Sequence, residues 1–113
     1  MQLSTTEYGN VTVITIDDSL DATTAQQAGD YFAGEIEGGK TNIVVNLGGV
    51  TYLSSAGIRA ILVAMQQVRT AGGDLRLAGA AGNILNVVEI SGLTKIMKTF
   101  SSTDESVASY RSS

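Results

Sequence analysis

The chain has 113 residues, with seven Lys and Arg against eleven Asp and Glu and a formal net charge of −4. This length suffices for one hydrophobic core but not for two. The absence of Cys and His excludes disulfides, thiolate metal sites and histidine acid–base chemistry. The basic residues are scattered along the chain, so no cationic face for nucleic acid is indicated, and a protein is the expected partner.

Neither a membrane span nor a secretory signal is indicated. No run of about 18 apolar residues is present, and the N-terminus, MQLSTTEYG, lacks the basic and apolar segments of a signal peptide. We therefore expect a soluble cytoplasmic protein that does not contact a membrane.

The beginning of the chain predicts a β-hairpin. Residues 11–16, VTVITI, are β-branched throughout, which favours a strand. Gly9 and Asn10 precede it as a turn signal that joins it to an earlier strand near residues 2–7. The polar residues 17–21 are predicted to connect this hairpin to a helix.

A helix is predicted over residues 22–37. Apolar side chains recur there at steps of three and four, the spacing of one helical face, and Gly38 and Gly39 end the pattern. Its buried face is expected to consist of Ala25, Ala28, Phe32 and Ile36. The next run, residues 42–47, is almost continuously apolar, which is typical of a central strand covered on both faces.

A second amphipathic helix follows a pair of serines, Ser54 and Ser55, and stops near residues 71–73. Its buried stripe is predicted to consist of Ile58, Ile61, Leu62, Met65 and Val68. Small hydroxyl residues at the start of a helix accept its free backbone N–H groups. Helix capping is therefore the simplest interpretation of the two serines.

The last third of the chain predicts four short elements. These are a strand over residues 75–78, a helix over 83–90, an edge strand over 95–100 and a final helix to Tyr110. Leu85 and Val88 are expected to face inward, and Ser91 and Gly92 to close their helix with a left-handed cap. The segment STDE, from Ser102, resembles a capping box that opens the final helix.

Strands that alternate with helices imply parallel pairing through right-handed crossovers. We therefore predict an α/β fold, with a mixed, mostly parallel sheet of four to five strands and about four helices in a single small domain. Functional groups in such sheets gather where strands end and helices begin. Ser54 and Ser55 lie at such a junction. No nucleophile has an evident base and no carboxylate pair is indicated by spacing, which argues against an enzyme.

The segment VTYLSSAGIRAIL, residues 50–62, together with NLGGV before it and LDATTA much earlier, resembles the STAS domain of bacterial anti-sigma factor antagonists. In that family the turn from strand to helix typically reads Asp-Ser-Ser-Gly. The resemblance extends from the first hairpin to the last helix and implies one STAS domain over residues 1–113, without a cofactor. With Gly57 as the anchor of the motif, it implies phosphorylation of Ser55, with Ser54 as the alternative acceptor.

The resemblance implies a partner switch. The unphosphorylated chain would bind an anti-sigma factor that is also a serine kinase, and so free the sigma factor. The kinase would inactivate the chain by phosphorylating it with ATP, and a serine phosphatase would reset it. The terminal N–H groups and the dipole of a helix favour a phosphate at its N-terminus, so we expect the fold to survive. The alternative is a non-switching structural STAS subunit of a signalling or transporter-associated complex.

The expected partner surface surrounds the acceptor. Arg59, Val63 and Gln67 recur at steps of four, opposite the buried stripe of the second helix. Val63 is then either a single exposed apolar residue or part of a contact. The family places the LDATTA turn beside the acceptor, where Asp21 either caps the first helix or meets the partner. The full set of predicted partner-binding residues is Asp21, Thr23, Ser54, Ala56, Gly57, Arg59, Val63 and Gln67.

The sequence departs from the family's pattern at three positions. Ser54 stands where the family commonly has Asp, Ala56 where it often has a second Ser, and Asn46 where the central strand often has Asp. We expect two negative charges to be missing near the acceptor as a result.

Overall fold

The structure is a computed structural model that describes residues 1–111. Within them, one five-stranded sheet has the order β1-β2-β3-β4-β5. The strands are β1 Gln2–Tyr8, β2 Val11–Leu20, β3 Asn42–Leu53, β4 Asp74–Ala78 and β5 Thr99–Phe100. β1 and β2 form the predicted antiparallel hairpin, and the other neighbours pair in parallel. The predicted mixed, mostly parallel sheet is therefore confirmed.

Helices cover both faces of the sheet. Those in the described residues are α1 Ala25–Glu37, α2 Ser55–Thr70, α3 Gly82–Ile90, α4 Leu93–Ile96 and α5 Thr103–Arg111. The larger core joins α1 to α4 with one face of the sheet, and Phe32 and Ile61 are fully buried in it. On the other face, Val107 of α5 packs with Val13 and Val44. β3 is thus covered on both sides, as predicted for residues 42–47.

No helix within residues 1–111 combines the length and the apolar character needed to cross a bilayer.

β2 and β3 extend beyond their predicted ends. The polar residues 17–21 predict a connection, but β2 continues to Leu20 through two irregularities in its register with β3. Asp18 adopts a φ of 76°, a left-handed conformation that is uncommon outside glycine and typical of a bulge. Backbone pairing holds this polar stretch in the sheet, and it aligns Leu20 with Leu53, directly before the two serines.

The edge strand predicted over residues 95–100 is wrong in its first half. The chain forms α4 there, and Leu93 of this helix and Met97, which directly follows it, are both buried. Within the predicted strand, Thr99 and Phe100 of β5 pair with β4. Gly92, with a φ of 85°, has the predicted left-handed conformation. In α3, Ile84 rather than Leu85 is buried with Val88, because the helix packs with that side on the core, and Leu85 is partly buried.

α5 is capped at its start and is bonded to the sheet near its C-terminal end. Ser102 caps it as predicted, since its Oγ accepts the backbone N–H of Glu105 at 3.2 Å. The Tyr110 hydroxyl lies 2.6 Å from the carbonyl oxygen of Ile43 and 2.8 Å from that of Asp74. Burial raises the pKa of Tyr110, which therefore remains a neutral hydrogen-bond donor. These contacts close the sheet face opposite α1 and α2.

Candidate functional site

Ser54 and Ser55 have different environments at the junction of β3 and α2. Ser54 is the N-cap residue of α2, and its Oγ accepts the backbone N–H of Gly57 at 3.2 Å. Ser55 is the first residue of the helix and is exposed, and its hydroxyl forms no hydrogen bond within residues 1–111. The capping interpretation therefore holds for Ser54, and the Ser55 hydroxyl is free to react.

The start of α2 is held against the end of β2. The backbone N–H of Ser54 donates to the Leu20 carbonyl oxygen at 3.0 Å. A Cβ atom at position 57 would lie 2.7 Å from that oxygen and 3.0 Å from Cδ1 of Leu53. Gly57 permits this close approach and is itself buried. Its contribution to the site is therefore to bring the two backbones together.

Asp21 organises the turn that precedes α1. Its Oδ1 accepts the Thr23 hydroxyl at 2.7 Å, the Thr23 N–H at 2.9 Å and the Thr24 N–H at 3.2 Å. These hydrogen bonds, led by that of the Thr23 hydroxyl, lower the pKa of Asp21. α1 begins only at Ala25, and its N-cap residue, Thr24, makes no side-chain cap bond. The Asp21 carbonyl oxygen also accepts the Ala25 N–H at 2.8 Å, so Asp21 caps the turn that leads into α1, and the predicted helix cap is confirmed.

The Asp21 turn and the serine turn lie side by side. Leu20, which accepts the Ser54 N–H, directly precedes Asp21 in the chain. Ala22, in the Asp21 turn, lines the same groove as Ala56, which follows Ser55. Asp21 and Ser54 are 33 residues apart in the sequence, and β2–β3 pairing brings the two turns together.

A groove of about 470 Å³ runs between α1 and α2. Four predicted partner residues line its α2 side, and these are Ala56, Arg59, Val63 and Gln67. Val63 is 40% exposed, whereas Ile61, Met65 and Val68 are buried, so the predicted phase of α2 is confirmed.

The sequence prediction missed the opposite wall of the groove. It is formed by α1 and the turn before it, and its small residues are Ala22, Ala25, Gly29 and Ala33. Their spacing of three and four residues marks a second face of α1, beside the buried one. Ala25 was predicted on the buried face, but it is partly exposed and lies on this groove face, whereas Ala28 and Phe32 are buried as predicted. This spacing was a signal in the sequence, but a groove also requires the neighbouring α2, which only the fold supplies.

Asn46 does not line the groove. Its Oδ1 accepts the backbone N–H of Gly48 at 3.0 Å, within β3 itself. Of the three departures from the family pattern, Ser54 and Ala56 are therefore at the serine turn, and Asn46 has a local role in the strand.

The sequence profile of the STAS domain matches residues 2–106. The chain belongs to the STAS domain family. Among curated proteins, BtrV of Bordetella bronchiseptica, which is named as an anti-sigma factor antagonist, is 26% identical over 111 residues. That alignment covers 98% of this STAS domain chain and 96% of BtrV.

Solved structures share the fold of this STAS domain. A Thermotoga maritima protein described as an anti-sigma factor antagonist superposes with a TM-score of 0.91 at 17% identity, over 96% of this chain and 94% of that one. The phosphorylated form of SpoIIAA, a Bacillus cell fate determinant, has a TM-score of 0.73 at 20% identity, over 96% and 99% of the two chains. The resemblance predicted from the serine motif is confirmed.

Proposed function

We propose that this STAS domain is an anti-sigma factor antagonist controlled by phosphorylation of Ser55. In its unphosphorylated form it binds an anti-sigma factor with serine kinase activity and so frees the sigma factor. The observation that carries the proposal is the free, exposed hydroxyl of Ser55 beside a helix cap that Ser54 already provides. The relatives named as anti-sigma factor antagonists support it.

The modification step is a phosphoryl transfer in which the chain is the substrate. The bond between the γ-phosphorus of ATP and its bridging oxygen breaks, ADP leaves, and an O–P bond forms at Ser55 Oγ. The hydroxyl proton passes to a base of the kinase. The chain supplies the acceptor and the docking surface and no catalytic group.

The phosphate changes the surface without disturbing the fold. It adds roughly −1.5 to −2 charges at Ser55, whose hydroxyl forms no hydrogen bond with residues 1–111. Ser54 keeps the Gly57 N–H satisfied in both forms. A dianion in a partner contact is costly to desolvate, so binding is lost while the domain remains folded. A serine phosphatase restores the binding form.

The surface that we assign to the kinase is the groove between α1 and α2 with the two turns at its end. Asp21 and Thr23 form one turn, and Ser54 and Ser55 form the other. The small residues of the groove allow close approach of a partner, and the exposed side chain of Val63 offers it an apolar contact.

Incubation of the chain with the cognate anti-sigma factor kinase and ATP tests this function, with intact mass as the readout. We expect one phosphate per chain in the parent protein and in Ser54→Ala, and none in Ser55→Ala. Phosphate on Ser55→Ala but not on Ser54→Ala would assign the acceptor to Ser54. A folded parent chain that binds the kinase but takes up no phosphate would refute the switch and favour the alternative, a structural STAS subunit.

A further inference from the structure

Arg59 differs from the other three arginines in its lack of a partner. Arg69 and Arg76 both pair with Asp74, and Arg111 donates to a backbone carbonyl. Arg59 forms neither an ion pair nor a hydrogen bond with any of residues 1–111. Arg59 is exposed and is one of the residues that line the groove between α1 and α2.

Arg59 follows Ser55 by four residues on α2, and both are exposed. Side chains at this spacing are neighbours on a helix surface, and an anion N-terminal to a cation is the favourable order. The planar guanidinium matches phosphate oxygens with two parallel hydrogen bonds. We propose that a phosphate on Ser55 pairs with Arg59 of the same helix and withdraws its guanidinium from the groove.

This pair would change the charge that the groove presents from balanced to negative. Among the described lining residues, Arg59 is the cation and Asp30, on the opposite wall, is the anion. Unpaired Arg59 can form an ion pair with a carboxylate of the partner. When Arg59 is paired with the phosphate, Asp30 and the phosphate both face that partner carboxylate. The Asp21 turn adds a further carboxylate at the same end. The regulatory meaning of the pair rests on the proposed function, but its formation does not.

The test uses phosphoserine incorporated at position 55 during protein synthesis, so no kinase is needed. A ³¹P NMR titration measures the second pKa of the phosphate, which a nearby cation lowers. From the usual strength of such helical pairs, we expect Arg59→Gln to raise this pKa by about 0.3 unit. Arg59→Lys, which keeps the charge, should retain most of the effect.

Arg69→Gln is the matched control, because it removes the same charge from the far end of the same helix. We expect it to leave the phosphate pKa unchanged, and we expect the Arg59 effect to shrink at high salt. An unchanged pKa in Arg59→Gln would overturn the pair, and equal shifts in Arg59→Gln and Arg69→Gln would attribute the effect to net charge. A kinase that never labels Ser55 would refute the proposed function and leave these NMR results intact.

Discussion

Substitution of Gly57 by Ala tests whether close packing of β2 on α2 builds the site. The added Cβ would lie 2.7 Å from the Leu20 carbonyl oxygen and 2.8 Å from Leu20 Cγ, and the oxygen belongs to backbone held in the sheet. Overpacking of this kind costs about 1–3 kcal/mol. Ala is favoured over Gly inside a helix by at most about 1 kcal/mol. With the full propensity gain subtracted, we expect net destabilisation of up to about 2 kcal/mol and a fall in melting temperature of up to roughly 8 °C.

Gly34→Ala is the matched control, since Gly34 is also helical but a Cβ added there would meet no atom within 4 Å outside the backbone of its own helix. It should be neutral or stabilising by up to about 1 kcal/mol. Urea denaturation of both variants measures the free energies of unfolding. If Gly57→Ala were as stable as Gly34→Ala, the contact between Leu20 and the start of α2 would not be tight, and the reasoning would be wrong.

Three further substitutions or conditions test other parts of the molecule. Tyr110→Phe should lower the free energy of unfolding by about 1–3 kcal/mol, because two strand carbonyls lose their donor, whereas Tyr8→Phe, at an exposed position, should not. Burial raises the pKa of Asp74, but hydrogen bonds from two arginines outweigh it and the net pKa is lowered. The resulting stability is present above the unfolded pKa of about 3.9 and is lost as pH falls through the lower folded value. In Asp74→Asn, the urea midpoint of unfolding should therefore depend less on pH in that acidic range. Val63→Asp should weaken kinase binding at least about tenfold, because the contact would desolvate an unpaired carboxylate. The melting temperature should change little, and a large fall in melting temperature would contradict the exposed position of Val63.

The spacing of apolar residues predicted the long helices, because the pattern of buried side chains repeats over several helical turns. α2 has its stripe of Ile61, Met65 and Val68 buried as its spacing indicates, and α1 buries Ala28 and Phe32. Short or irregular elements contain too few buried residues for such a pattern to be recognised in the sequence. α4 spans one turn, and the end of β2 is polar and is held by backbone pairing that side-chain patterns do not reveal.

The site was predicted in part for a related reason. The serine motif located the junction, but the division between a capping Ser54 and a free Ser55 depends on a hydrogen bond to Gly57 that spacing alone does not assign. Likewise, Arg59 and Val63 were predicted to share a face, while the α1 wall opposite them depends on how the two helices pack on the sheet.

Calorimetric titration of the cognate kinase with the unmodified and the Ser55-phosphorylated STAS domain, paired with a thermal melt of each, tests the switch most directly. We expect the phosphorylated domain to bind at least about tenfold more weakly, with a melting temperature close to that of the unmodified form. Ser55→Asp should show part of this loss, since a carboxylate carries less charge than a phosphate. Equal affinity of the two forms, or a loss of affinity that accompanies unfolding, would contradict a phosphate switch at Ser55.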